Sequence, residues 1–95
     1  MAYRNILASG TGAGTSNEFE VGSKPRMVMC FGTLGSDTGD LEVQASDGST
    51  WTDVYDTDGQ VQLSATRPQI VIQGPGIYRV VYSARAAAIG VDVTR

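Results

Sequence analysis

Short runs of alternating apolar and polar residues, separated by turn-forming residues at roughly ten-residue spacing, run through most of this chain and constrain its fold more than any other feature. NEFEV sets Phe19 and Val21 on one side and Glu18 and Glu20 on the other. LEVQA alternates in the same way, with Leu41, Val43 and Ala45 facing inward. TWTDVY, QVQL, QIVIQ, IYRVVYS and GVDVT continue the pattern toward the C-terminus. Between them lie GSKP, GTLGSDTGD, SDGS, DTDG and GPG, whose Gly, Pro, Asp and Ser residues favour tight turns. GPG suits a β-turn with Pro75 second and Gly76 third, where positive φ is needed. RMVMCF (26–31) is apolar nearly throughout, as expected of a strand covered on both faces. SARAAAIG is too short for alanine content alone to make it helical and reads as a loop or a single turn.

The pattern predicts an all-β fold, a small β-sandwich or jelly-roll-like barrel of about eight short antiparallel strands. The 95 residues make one core, in two parts. Residues 1–16, with SGTGAGTS after Ile6 and Leu7, are rich in Gly, Ser and Thr and read as an extended, flexible N-terminal arm. Residues 17–95 form the β domain.

Several chemistries lack their usual residues. There is no histidine, so the common general base, zinc ligand and Ser-His or Cys-His pairs are missing. Cys30 is the single cysteine, which excludes an internal disulfide, and its apolar setting marks a buried small hydrophobe. Ten acidic against seven basic residues give a net charge of −3, which argues against nucleic acid as the main partner. No apolar run approaches the ~20 residues of a membrane helix, and MAYRNILASG has no signal-peptide pattern. The expectation is a soluble protein made in a reducing cytosol, with no membrane partner and no cofactor.

Four local patterns are candidates for sites. SDGSTW (46–51) resembles the Asp-box hairpin of sialidase-type propellers but is two residues too short between Ser and Trp, and it occurs once. A tight hairpin turn explains it, with Gly48 at positive φ and Trp51 opening the return strand and either covering the end of the core or anchoring a contact. Gly10-Thr11-Gly12-Ala13-Gly14 misses the third glycine of a dinucleotide-binding loop by one residue and precedes a strand rather than a helix. Asp53, Asp56 and Asp58 with Gly59 share part of a calcium-loop pattern but lack its closing glutamate. They leave at most a weak calcium site, and Asx-turn chemistry accounts for them. Arg67 and Arg79 read as solvated or ion-paired residues on the outer face, or as contacts to a neighbouring subunit.

D-x-L-E-V-Q-x-S-D-G-x-T-W-T-D-V (40–54), D-G-Q-V-Q-L (58–63) and I-Q-G-P-G-I-Y-R-V-V (72–81) together resemble small β-sandwich proteins of tailed bacteriophages, among them head decoration (cement) proteins. The resemblance implies a non-enzymatic structural virion protein that binds and stabilises neighbouring major capsid subunits, assembled in the host cytoplasm. It also implies a homo-oligomer, consistent with a small domain that has no crosslink. A carbohydrate- or receptor-binding module of a phage fibre or tail is the alternative, using Trp51, Tyr55, Tyr78 or Tyr82 as a platform, although Tyr78 and Tyr82 alternate as core residues would. The expected partner-contacting residues are Tyr3, Arg4, Ile6 and Leu7 of the arm, laid along a neighbour's sheet edge, with Arg67 and Arg79 of the domain.

Overall fold

The computed structural model describes residues 3–94. Twelve strands follow in order: β1 (Tyr3–Gly10), β2 (Gly14–Thr15), β3 (Phe19–Val21), β4 (Arg26–Gly32), β5 (Gly39–Gln44), β6 (Trp51–Asp53), β7 (Tyr55–Asp56), β8 (Gly59–Gln60), β9 (Gln62–Leu63), β10 (Gln69–Ile72), β11 (Gly76–Tyr82) and β12 (Ile89–Thr94). The fold is all-β, as the alternation predicts, with no helix among the described residues. One sheet has four strands in the order β1-β12-β4-β10. The other has six, in the order β2-β11-β5-β6, with β3 also on β11 and β9 also on β5. A small β7–β8 hairpin stands beside them, and every pairing is antiparallel.

Period-two alternation places the core between the sheets. Val28 and Cys30 of β4, Ile70 and Ile72 of β10, and Ile89, Val91 and Val93 of β12 point inward from the four-stranded sheet. They meet Phe19, Val21, Leu41, Tyr78, Val80 and Tyr82 from the other. The rings of Phe19 and Tyr78 stack with centroids 6.1 Å apart. Tyr82 lies across its cross-strand partner Gly39, where a β-carbon would come within 2.5 Å of the ring. Burial pushes the Tyr78 and Tyr82 hydroxyls up, and also the Cys30 thiol, because the charged forms lose water there.

Three expectations are corrected. The N-terminal segment is not a free arm. β1 pairs with β12 from Tyr3↔Thr94 to Gly10↔Ile89, and Ile6 is buried at 3% exposure. Ile6 therefore belongs to the core and is not available to a partner, while Leu7 packs against that core. Ladder hydrogen bonds hold a segment whose composition has too little apolar alternation to signal a strand.

The second correction concerns RMVMCF, which is covered on one face only. Met27 and Met29 are half-buried and Phe31 is 38% exposed, all on the outer side of the four-stranded sheet. The third concerns GPG, which carries the chain from β10 in one sheet to β11 in the other. Gly76 has the expected positive φ, at 159°, but it is already the first residue of β11 and not the third of a closed turn.

The outer edges of the six-stranded sheet are interrupted. On one, Ser16 separates β2 from β3, and its Oγ accepts the Val80 N–H where a backbone carbonyl would otherwise serve. On the other, residues 54–61 leave the edge as the β7–β8 hairpin. Leu41 pins that excursion, donating its N–H to Val61 and accepting from the Val54 N–H.

Candidate functional site

A polar cluster lies on the outer face of the six-stranded sheet. Arg79 of β11 stands opposite Glu42 of β5, and Nε donates to Oε1 at 2.8 Å. The next strand brings Trp51 opposite Gln44, and the Arg79 guanidinium lies 4.2 Å from the centre of the indole. Both partners are partly shielded, so ion pair and cation–π contact each hold more firmly than they would in open water. Trp51 thus covers the outer sheet face and not the end of the core, the first of the two places its position after the turn suggests.

That turn is built as the sequence implies. Gly48 has a φ of 78°. The Asp47 carboxylate accepts the N–H groups of Ser49 and Thr50 at 2.9 and 2.8 Å and the Thr50 hydroxyl at 2.5 Å. These donors, the Thr50 hydroxyl first, pull the carboxyl down to about 2. All of Asp47's strong contacts lie within the turn, which fits a structural part and not a sugar subsite.

The aspartates further on do not converge. Asp56 Oδ1 accepts the Asp58 N–H at 2.9 Å, and its Oδ2 lies 3.5 Å from Arg67. Asp53 sits in β6 opposite Glu42. Among the described residues no group of three or more acidic, histidine or cysteine side chains is placed to hold a metal ion.

Arg67 and Arg79, expected either to pair on the outer face or to contact a partner, are both engaged with carboxylates. Tyr3 and Arg4 are exposed at the start of β1. The structure does not gather the expected partner residues into one place: Tyr3 and Arg4 lie on the edge of the four-stranded sheet, Arg67 beside the hairpin, and Arg79 on the opposite outer face.

Arg85 was not singled out by its sequence position, in the middle of an alanine-rich connection. It is 8% exposed, and its guanidinium is enclosed by main-chain carbonyls. Nε donates to Gly12, Nη1 to Ala8 and Ile89, and Nη2 to Thr11, at 2.7 to 3.3 Å. Gly12 N–H returns a bond to the Arg85 carbonyl at 2.9 Å. This one side chain ties the Gly10–Gly14 segment to the β11–β12 connection, and Gly14, where a β-carbon would strike the guanidinium, makes room for it.

A cleft of about 310 Å³ opens where β10 faces the β7–β8 hairpin, with Leu41, Ile70, Ile72 and Tyr78 among its lining and Tyr55 and Arg67 on its rim. Val71 also borders the cleft; it stands opposite Met27 on the outer side of the four-stranded sheet and is 58% exposed. Met27, Met29 and Phe31 continue an apolar stripe along β4, and Phe31 spreads over Gly90 of β12. The chain matches no family model, no curated protein and no solved structure.

Proposed function

We propose that the chain is a structural virion protein of the decoration type, which docks on neighbouring major capsid subunits and holds them together. The apolar stripe on the outer face of the four-stranded sheet carries this reading. Val71, Met27, Met29 and Phe31 present an apolar strip bordered on the β12 side by Asp92, which stands opposite Met29, and an apolar strip with a polar margin is the kind of surface that marks a protein contact site. Tyr3 and Arg4 flank the same sheet on β1 and supply residue types suited to the rim of such a contact. The likeness of residues 40–54, 58–63 and 72–81 to tailed-phage β-sandwich proteins supports the same role.

The alternative, a glycan-binding fibre module, has less support. Tyr78 and Tyr82 are core residues, and Arg79 occupies one face of Trp51, which leaves Tyr55 as the most exposed aromatic ring among the described residues, on the small hairpin.

The test is co-sedimentation of the purified protein with filled heads of the tailed phage whose genome carries the coding sequence. Saturable binding that Phe31→Glu abolishes, in a variant that keeps its β-sheet circular dichroism, is the expected result. Heads that bind none, or a glycan array on which the protein gives specific hits, would overturn the reading.

A further inference from the structure

We infer that two copies of this chain join edge to edge through β10, antiparallel about a two-fold axis at Val71, to make one continuous eight-stranded sheet. This goes beyond the proposed function and takes from the resemblance to tailed-phage proteins only the expectation of an oligomer.

The outer edges of the two sheets are not equivalent. β1 pairs with β12 through two register shifts, which distort its outer side. The outer edges of the six-stranded sheet are cut into pieces of two or three residues by Ser16 and by the hairpin excursion. β10 differs from all of these, since its ladder with β4 runs from Gln69↔Met29 to Ile72↔Arg26 without a shift. Irregular, bulged or charged edges resist pairing with another chain, whereas a flat, uncharged one is a template for it. QIVI holds no charge and no proline.

The direction of its free groups follows from one hydrogen bond. Cys30 N–H donates to Pro68 C=O at 2.9 Å, so Pro68 faces β4. Alternation along an antiparallel ladder then turns Ile70 and Ile72 toward β4 as well, and Gln69, Val71 and Gln73 the other way. Pro68 is thus on the paired side and does not guard the open one.

Charge selects a second copy as the occupant. A two-fold axis at Val71 sets Val71 against its own mate, Ile70 against Ile72, Gln69 against Gln73, and Arg67 against Pro75. No charged residue of the segment meets its like across the axis. The main-chain groups of Gln69, Val71 and Gln73 fall into register with those of Gln73, Val71 and Gln69 of the mate. Beside the new junction, Asp56 and Arg67 on the cleft rim are paired with each other and leave no net charge for the mate to meet. Val71, largely exposed in the single chain, comes to lie beside its twin on the outer face and brings the two apolar stripes side by side.

The experiment is light scattering across a concentration series, with amide hydrogen exchange on the same samples. Wild type should approach twice the monomer mass, and the amides of Gln69 and Val71 should become protected as concentration rises. Val71→Lys sets two ammonium groups face to face and should raise the dissociation constant by about tenfold or more, while Val71→Thr should leave it nearly unchanged. Circular dichroism confirms that each variant is folded. A wild type that stays monomeric, or an oligomer that Val71→Lys leaves intact, overturns the β10 junction. Neither result touches head binding through Phe31, so the junction and the proposed function fail separately.

Discussion

A β-carbon on Gly14 would sit 2.8 Å from Nη2 of Arg85 and 3.1 Å from its Cζ, so the space that the glycine leaves empty is the space the guanidinium occupies. The arginine is held there by four carbonyls and cannot swing aside as a surface arginine would. Gly14→Ala is expected to cost about 1–3 kcal/mol through overpacking. Arg85→Ala strands one buried carbonyl, that of Ile89, and three part-buried ones, and is expected to cost about 2–3 kcal/mol. The double variant should cost less than the two singles added, because the second change removes the group that the first one strikes. Urea denaturation of the four proteins measures this.

Removal of the N-terminal segment follows from the same contacts. Deleting residues 2–15 takes away β1, β2 and the carbonyls of Ala8, Thr11 and Gly12 around Arg85, and it uncovers the edge of β12. The shortened chain should fail to give the cooperative thermal transition of the full one. Ile6→Ala, which spares the ladder, should cost about 2–4 kcal/mol. A truncated chain that melts with an unchanged midpoint would show β1 to be dispensable.

How far this was legible in the sequence depends on what holds each strand. LEVQA, QIVIQ, IYRVVYS and GVDVT are strands because their alternate side chains fill the core, and β5, β10, β11 and β12 lie where those runs predict. YRNILASG fills little of the core beyond Ile6 and depends on backbone pairing with β12, a partner more than eighty residues away that leaves no local trace. Arg85 was equally hidden, since nothing in SARAAAIG shows that its arginine turns inward. The hairpin turn at Asp58-Gly59 was visible, but not that Leu41 would draw Val54 and Val61 together and break the edge strand in two.

Arg79, Glu42 and Trp51 form a set whose couplings can be separated. A double-mutant cycle with Arg79→Met and Trp51→Phe should give an interaction of about 0.5–1 kcal/mol, the range of a partly exposed cation–π contact. The loss of stability in Trp51→Ala should stay below that of a core aromatic, since the ring lies on the outer face. A coupling of zero would mean that the two side chains stack without stabilising each other.

Asp47 gives a pH signature. Its carboxyl is lowered from 3.8 to about 2 in the folded protein, so its ionised form is favoured by folding. The stability it adds is present above the unfolded value of 3.8 and is lost as pH falls through about 2. Comparing Asp47→Ala with wild type by thermal melting should show a small deficit near neutral pH that shrinks on acidification and vanishes at the acid end. A deficit that persists there unchanged would assign the effect to something other than the carboxylate.

The place of β12 in the four-stranded sheet bears on when the protein can fold. It lies between β1 and β4, yet it is the last of the twelve strands to be synthesised. While the ribosome is still translating Ile89–Thr94, β1 has no neighbour to pair with and β4 holds only β10, so half of the sandwich waits for its central member. Folding is therefore completed after the last strand has cleared the exit tunnel, in a step that closes a loop of nearly the whole chain and is correspondingly slow. During that interval the apolar inner faces of β4 and β10 stand open, and the nascent protein has its greatest need of protection from its neighbours on the polysome.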